Sequence, residues 1–314
     1  MQKKISGTYP VEVAVTLDDL MRFEYMVSAG NILPNHPIYS ILAGRHAARM
    51  RGRGLDFEEV RLYVPGDDIR NIDWKVTARS NNTYSKVFNE EKERPTFTLL
   101  DQSPAMFFGS ERYVKSVIAA QVAALTAFYT IKRGDRFGGI IFNGSGYDYL
   151  SPRRNKAQVQ HYLQLVVEHN NALTQRKGTI PDTGQVNDML RRAQALVTHD
   201  YVVTVITDLL MLNEDSKHLL RSMALRNDLI LVHIEDPMDK HLPQGKLVLT
   251  DGDRQITWNN KKNGWGEKYT SDYEHRMAAL TEDFRHYRIP VSVINTVTPV
   301  ELQIKEKMGE RLKQ

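Results

Sequence analysis

Two aspartates stand where a chain of this kind could do metal or acid–base chemistry. Asp101 closes the apolar run Thr96–Leu100, and Asp208 closes the run Tyr201–Thr207. In an open parallel sheet, ligands collect outside the carboxyl ends of the strands, so two carboxylates that end two strands can share one edge. Such a pair suits a hard cation such as Mg²⁺, which takes oxygen ligands and keeps several waters. Ser103, two residues beyond Asp101, adds a hydroxyl. Thr183, just ahead of a helical pattern at Val186–Val197, adds another. Each residue also has a plainer reading, because a strand-end aspartate is a common helix cap or turn former.

Other chemistries lack their residues. The chain has no cysteine, which excludes disulfides, thiolate metal sites and a cysteine nucleophile. No phosphate-binding glycine loop ending in Gly-Lys-Ser/Thr occurs, and no Gly-x-Gly-x-x-Gly opens a helix after a strand. His-Glu-x-x-His and Gly-x-Ser-x-Gly are also missing. The ten histidines are scattered, and Trp74, Trp258 and Trp265 are too far apart to suggest a base-stacking platform. A basic cluster, Arg45, His46, Arg49, Arg51 and Arg53, is broken by glycines and has no interleaved aromatics. It reads as a solvated helix end running into a loop, so no nucleic-acid partner is expected.

The elements that would position the aspartates follow from hydrophobic periodicity. Val114, Ile118, Val122, Leu125 and Tyr129 recur at helical spacing after the run that ends in Asp101. Phe137–Phe142 predicts a buried strand and Tyr147–Leu150 a short one. Helical patterns at Lys156–Glu168 and Val186–Val197 lead to the Tyr201–Thr207 strand. A helix at Ser216–Arg226, a strand at Leu229–Ile234, a helix near Asp272–Tyr287 and a strand at Val291–Asn295 complete the series. Strands alternating with helices predict an α/β, doubly wound, mainly parallel sheet over residues 95–314. Residues 1–94 read as an N-terminal α+β extension, with a strand among Val11, Val13 and Val15 and a helix after it. Within it, residues 55–94 are dense in charge around the turn signal Pro65-Gly66-Asp67-Asp68. Arg61, Arg70 and Arg79 are expected to pair with nearby carboxylates and lock that turn.

The bulk numbers agree with a globular protein. The 314 residues are 41% hydrophobic and 25% charged, with a net charge of +4 and a pI of about 9.0. The N-terminus lacks the apolar core of a signal peptide, and the stretch Ser116–Ile131 is short of the ~20 residues that span a bilayer. A soluble, cytoplasmic protein without a membrane anchor is therefore expected.

A family resemblance rests on one stretch above all. Gly54-Leu55-Asp56-Phe57-Glu58-Glu59-Val60-Arg61, Tyr63, Pro65-Gly66-Asp67-Asp68, Arg70, Ile72-Asp73-Trp74 and Ala78-Arg79 occur in order. This run resembles the signature of a bacterial domain-of-unknown-function family, number fifty-eight, described as von Willebrand factor A-like and associated with MoxR-type AAA+ ATPases. The similarity extends through Phe88, Glu90-Glu91 and Leu99-Leu100-Asp101, and more weakly to Asp208 and Asp236-Pro237. It implies a von Willebrand factor A-type sheet carrying a metal-ion-dependent adhesion site. Asp101, Ser103 and Asp208 match that motif. Thr183, or its rival Thr179, would be the threonine. Ala105 stands where the motif has a second serine, which removes one hydroxyl ligand. The implied ion is Mg²⁺ or Mn²⁺, and the implied partners are a MoxR-type ATPase and a client protein. Arg61, Asp67, Asp68, Arg70, Asp73, Trp74 and Arg79 would form a partner surface. The expected function is an adaptor without catalysis; the alternative is a metal-dependent phosphohydrolase built on the same aspartates.

Overall fold

The computed structural model describes residues 9–28, 56–80, 82–89, 94–175, 183–243, 246–250, 255–259 and 265–312. The basic cluster at residues 45–53, Glu90-Glu91 and Thr179 lie outside them. The chain divides into two units, Met1–Ala48 with Arg94–Gln314, and Arg49–Glu93. The expected 1–94 extension is thus divided: its first part belongs with the sheet unit. There Val11–Ala14 form a turn rather than a strand, with the Val13 and Ala14 N–H groups donating to the Pro10 carbonyl. Helix α1 (Leu17–Ser28) follows, with Leu20, Phe23 and Val27 buried.

The smaller unit is an antiparallel pair, β1 (Asp56–Leu62) and β2 (Tyr84–Asn89). Pro65 and Gly66 take the central places of a turn closed by the Asp67 N–H on the Val64 carbonyl at 3.0 Å. Gly66 has φ +114°, which side chains resist, so the Pro-Gly pair is there for geometry. A 3-10 turn at Ile69–Asn71 and the one-turn helix α2 (Trp74–Thr77) fill the connection.

The larger unit holds β3 (Thr96–Asp101), α3 (Lys115–Lys132), β4 (Phe137–Asn143), β5 (Gly146–Arg153), α4 (Lys156–Leu173), α5 (Thr183–Leu196), β6 (Val202–Thr207), α6 (Glu214–Ala224) and β7 (Asp228–Glu235). It continues with α7 (Pro237–Lys240), the hairpin β8 (Lys246–Thr250) and β9 (Gln255–Asn259), α8 (Trp265–His286), β10 (Val291–Asn295) and α9 (Val300–Leu312). The six-stranded sheet runs in the order β10-β7-β6-β3-β4-β5, parallel throughout except for the edge strand β5. Strands such as β3, β4 and β6 are buried along their whole length and mostly apolar because helices cover both faces.

The crossovers decide where a ligand could sit. From β3 the chain moves to β4 through α3, and from β6 it moves to β7 through α6, in the opposite direction along the sheet. Between β3 and β6 the winding reverses, which in open α/β sheets is the place where ligands bind. Asp101 ends one of these two strands and Asp208 follows the other.

Two elements differ from the sequence expectation. The spacing of Val114 to Tyr129 predicts a helix with one apolar face, but α3 is buried nearly all round. It lies on β3, β4, β6 and β7 and is covered in turn by α1, α4 and α9. Ala119, Ala120, Ala123, Ala124 and Ala127 make that enclosure possible by keeping its sides thin. The Thr126 and Thr130 hydroxyls are satisfied within the helix, donating to the carbonyls four residues back at 2.8 Å. The stretch before α8 carries the β8–β9 hairpin, for which the sequence reading names no element. Among the described residues no helix is long and apolar enough to cross a membrane.

Candidate functional site

Asp101 is 2% exposed at the end of β3. Its Oδ1 accepts the Ser103 N–H at 2.7 Å and its Oδ2 accepts the Thr207 hydroxyl at 2.6 Å. The second bond follows from register: β3 and β6 are parallel with Leu100 opposite Ile206, which brings the next residue of each strand face to face. Burial pushes the Asp101 carboxyl above its usual range, and the bonds from Thr207 and Ser103 oppose that shift. Ser103 is buried and opens the 3-10 turn Pro104–Met106.

Asp208, on the neighbouring strand end, caps the 3-10 turn Leu209–Met211 by accepting the Leu210 N–H on Oδ1 at 2.9 Å. Its Oδ2 accepts from the Lys115 ammonium at 2.7 Å. The same ammonium lies 2.7 Å from Asp239 Oδ2. Lys115 is the first residue of α3 and is 2% exposed. Burial works against its charge, but Asp208 and Asp239 outweigh burial and hold the ammonium above its ordinary range.

The loop after β7 completes the edge. Asp236 accepts the Met238 N–H on Oδ1 at 3.0 Å, and on Oδ2 the Ser110 N–H at 2.9 Å and the Thr296 hydroxyl at 2.7 Å. Asp239 returns a bond to the Asp236 N–H at 2.7 Å, closing a capping box around α7. His233, fully buried on β7, accepts the Leu209 N–H on Nδ1 at 3.2 Å, and burial lowers its pKa. A second buried chain ties the loop after β3 to its surroundings. Gln102 donates to the Ser116 carbonyl at 3.0 Å and accepts from Asn170 at 2.9 Å, and Asn170 accepts the Val15 N–H at 3.0 Å.

The structure therefore brings Asp101, Ser103 and Asp208 to one edge, as the sequence leads one to expect. Thr183 is the first residue of α5, which packs on β3 and β4, but its side chain lies outside the described set, as does the whole of Thr179. Sequence reasoning passes over Lys115, Asp239 and Thr207. A signal for Lys115 exists: a lysine heading a helix meets the positive end of the helix dipole, so it needs a carboxylate nearby. The donor set does not fit the implied Mg²⁺ or Mn²⁺ as it stands. Every oxygen of Asp101 and Asp208 already accepts a hydrogen bond from this chain, one of them from a cation, and Ala105 adds no oxygen.

In the smaller unit, the expected charge pairs form at two of three arginines. Arg61 donates to Asp67 at 2.7 Å, and Asp67 also accepts the Val64 N–H at 3.0 Å across the turn. Arg70 grips Asp68 with two nitrogens, at 2.9 and 3.1 Å, while Asp68 caps the following 3-10 turn. Asp73 caps α2 and lies 3.5 Å from Lys86. Arg79 differs: among the described residues it forms no carboxylate pair. Its backbone N–H bonds to the Val76 carbonyl, at the end of α2. Trp74 is 68% exposed and Ile69 67%.

Comparison with known proteins comes from the same stretch and the same edge. A family model described as "Protein of unknown function DUF58" matches residues 59–279, which take in Arg61 to Arg79 and both strand-end aspartates. Uncharacterized proteins of Mycobacterium bovis and Mycobacterium tuberculosis are each 31% identical to the chain over 223 residues. That span is 69% of this chain and 66% of each relative, so the chain covers just under two thirds of the curated relatives' length.

Proposed function

We propose that this chain, which belongs to the DUF58 family, is a protein-interaction adaptor that works with a MoxR-type AAA+ ATPase and a client protein, on a sheet of von Willebrand factor A type. One observation carries the non-catalytic part of this reading. Each oxygen of Asp101, Asp208 and Asp236 accepts a bond from the chain itself, and all three residues are buried, so none presents a free face to solvent. A general base or nucleophile needs a lone pair facing its substrate. Here the acidic edge is spent on holding loops in place, which is what a binding surface requires. The winding reversal at that edge and the exposed Trp74 and Ile69 in the smaller unit supply faces for contact.

The partnership itself comes from the resemblance at residues 54–79, and so does the MoxR-type identity of the ATPase. The test is co-purification of tagged chain with a MoxR-type ATPase from the native host, alongside a phosphatase and nuclease screen with added Mg²⁺ or Mn²⁺. Capture of the ATPase with no turnover is expected. Loss of Asp101 should weaken capture without abolishing it, since a specific interface of ~1,200–2,000 Å² does not hang on one residue. Turnover that vanishes in Asp101→Ala, with no ATPase recovered, would replace the adaptor by the metal-dependent phosphohydrolase.

A further inference from the structure

We infer that the Lys115 ammonium is the resident cation of this edge: it occupies, at Asp208, the carboxylate that a divalent ion would take, and it joins that carboxylate to Asp239 without metal. The inference rests on the reading of this edge as the von Willebrand factor A-type site. Its test needs no partner, so either can fail alone.

Three features of the lysine point the same way. The first is position. Its nitrogen touches Asp208, the carboxylate that the adhesion-site motif would give to the ion, and bridges it to Asp239 on the loop after β7, each at 2.7 Å. A cation bound to Asp208 would meet the ammonium on the same carboxylate. The second is burial. At 2% exposure the ammonium has no route to act as a surface charge or to reach a partner's carboxylate. The third is cost. A cation at the head of a helix is opposed by the helix dipole, and a buried one is opposed by desolvation. A buried lysine at the head of a mostly apolar helix is sustained only by carboxylates opposite it. Asp208 and Asp239 are those carboxylates, and the Asp101 carboxyl lies close enough to feel the Asp208 charge.

The loss of ligands agrees with this. Ala105 contributes no oxygen, and Ser103 bonds to Asp101 through its backbone N–H. Among the described residues no three His, Asp or Glu side chains are grouped to hold a metal ion. An ammonium offers three N–H donors and asks for no octahedral shell, so it bridges two carboxylates where such a shell could not be filled.

The experiment has a wild-type arm and a variant arm, both on the full chain. Calorimetric titration of the wild type with Mg²⁺ and with Mn²⁺ should show no binding heat, and neither ion nor a chelator should move Tm. Binding heat in the wild type that disappears in Asp208→Ala overturns the inference outright. In the variant arm, Lys115→Met should lower Tm by about 5–15 °C, because it strands two carboxylates in a buried place. Millimolar Mn²⁺ should raise that Tm again, and the rise should vanish when Asp208→Asn is added. A Lys115→Met chain that is stable and indifferent to Mn²⁺ refutes the substitution of one cation for the other. If Lys115→Met fails to fold, the triple variant with Asp208→Asn and Asp239→Asn decides. Recovery of folding is expected when the charges leave together, and failure to recover means that the lysine acts through packing instead of charge.

Discussion

At the scale of single residues, Asp101 and Asp208 were legible because each breaks an apolar run at its last position, a pattern with few causes. Lys115 was not legible in the same way. Its partners Asp208 and Asp239 lie some ninety to one hundred and twenty positions downstream, and nothing local marks a lysine as buried. His233 was hidden for a related reason, since a histidine inside a strand pattern shows neither its burial nor its tautomer. The structure makes its titration predictable. The ring is fully buried, and its Nδ1 accepts the Leu209 N–H, so the neutral form is the one that fits. Burial lowers its pKa below the ordinary 6.5, and around it Asp208 and Glu235 favour the charged ring while Lys115 opposes it. Below pH 6.5 the unfolded chain takes up a proton that the folded chain refuses. Its stabilising contribution is therefore whole above pH 6.5 and is lost as pH falls toward the depressed folded value, with a slope of up to about 1.4 kcal/mol per pH unit. Urea unfolding at pH 7.5 and 5.5 should show a smaller difference in His233→Gln than in the wild type. An unchanged difference would mean that the ring accepts its proton without penalty.

Secondary elements were readable where their period was strict and where both faces met the same surroundings. The strands β3, β4, β6 and β7 are mostly apolar runs because helices lie on both sides, and such runs announce themselves. Element α3 was found but misjudged: periodicity marks a helix, yet only packing tells whether one face or all faces are covered. The valines at positions 11, 13 and 15 alternate like a strand, but Pro10 instead accepts the backbone bonds that fold them into a turn. The β8–β9 hairpin was hidden by its flanks, since Pro243, Gly245, Lys261, Lys262 and Gly264 are the residues that mark connectors. One glycine inside an element is required by contact. On Gly139 of β4, a methyl group would sit 2.1 Å from the Thr98 carbonyl oxygen of β3, closer than atoms can approach. Gly139→Ala must push β4 off β3, at the strand next to Asp101. A loss of about 1–3 kcal/mol or more in chemical denaturation is expected. Wild-type stability in that variant would mean that β4 shifts freely.

For the whole molecule, the α/β class and the parallel sheet were foreseeable, while the division into units was not. Chain position suggests one N-terminal extension. Contacts instead assign its two parts to different units, because α1 has an apolar face that α3 can cover. The centre of the sheet should also be its most durable part. Amides of β3, β6 and β7, bonded on both sides and roofed by α3, should exchange with solvent slowest, and those of the edge strands β5 and β10 sooner. Native-state hydrogen exchange that found β5 slower than β6 would contradict this order. The enclosure of α3 has one more consequence, which arises during synthesis. This segment leaves the ribosome well before β6 and β7, the strands that will shelter it, and at about 5–20 residues per second the intervening hundred or so residues take roughly 5–20 s to appear. Through that interval a helix with almost no polar side waits on the nascent chain. Early β3 and β4 can hide only part of it. Its five buried alanines offer less apolar surface through that wait than leucine or phenylalanine would.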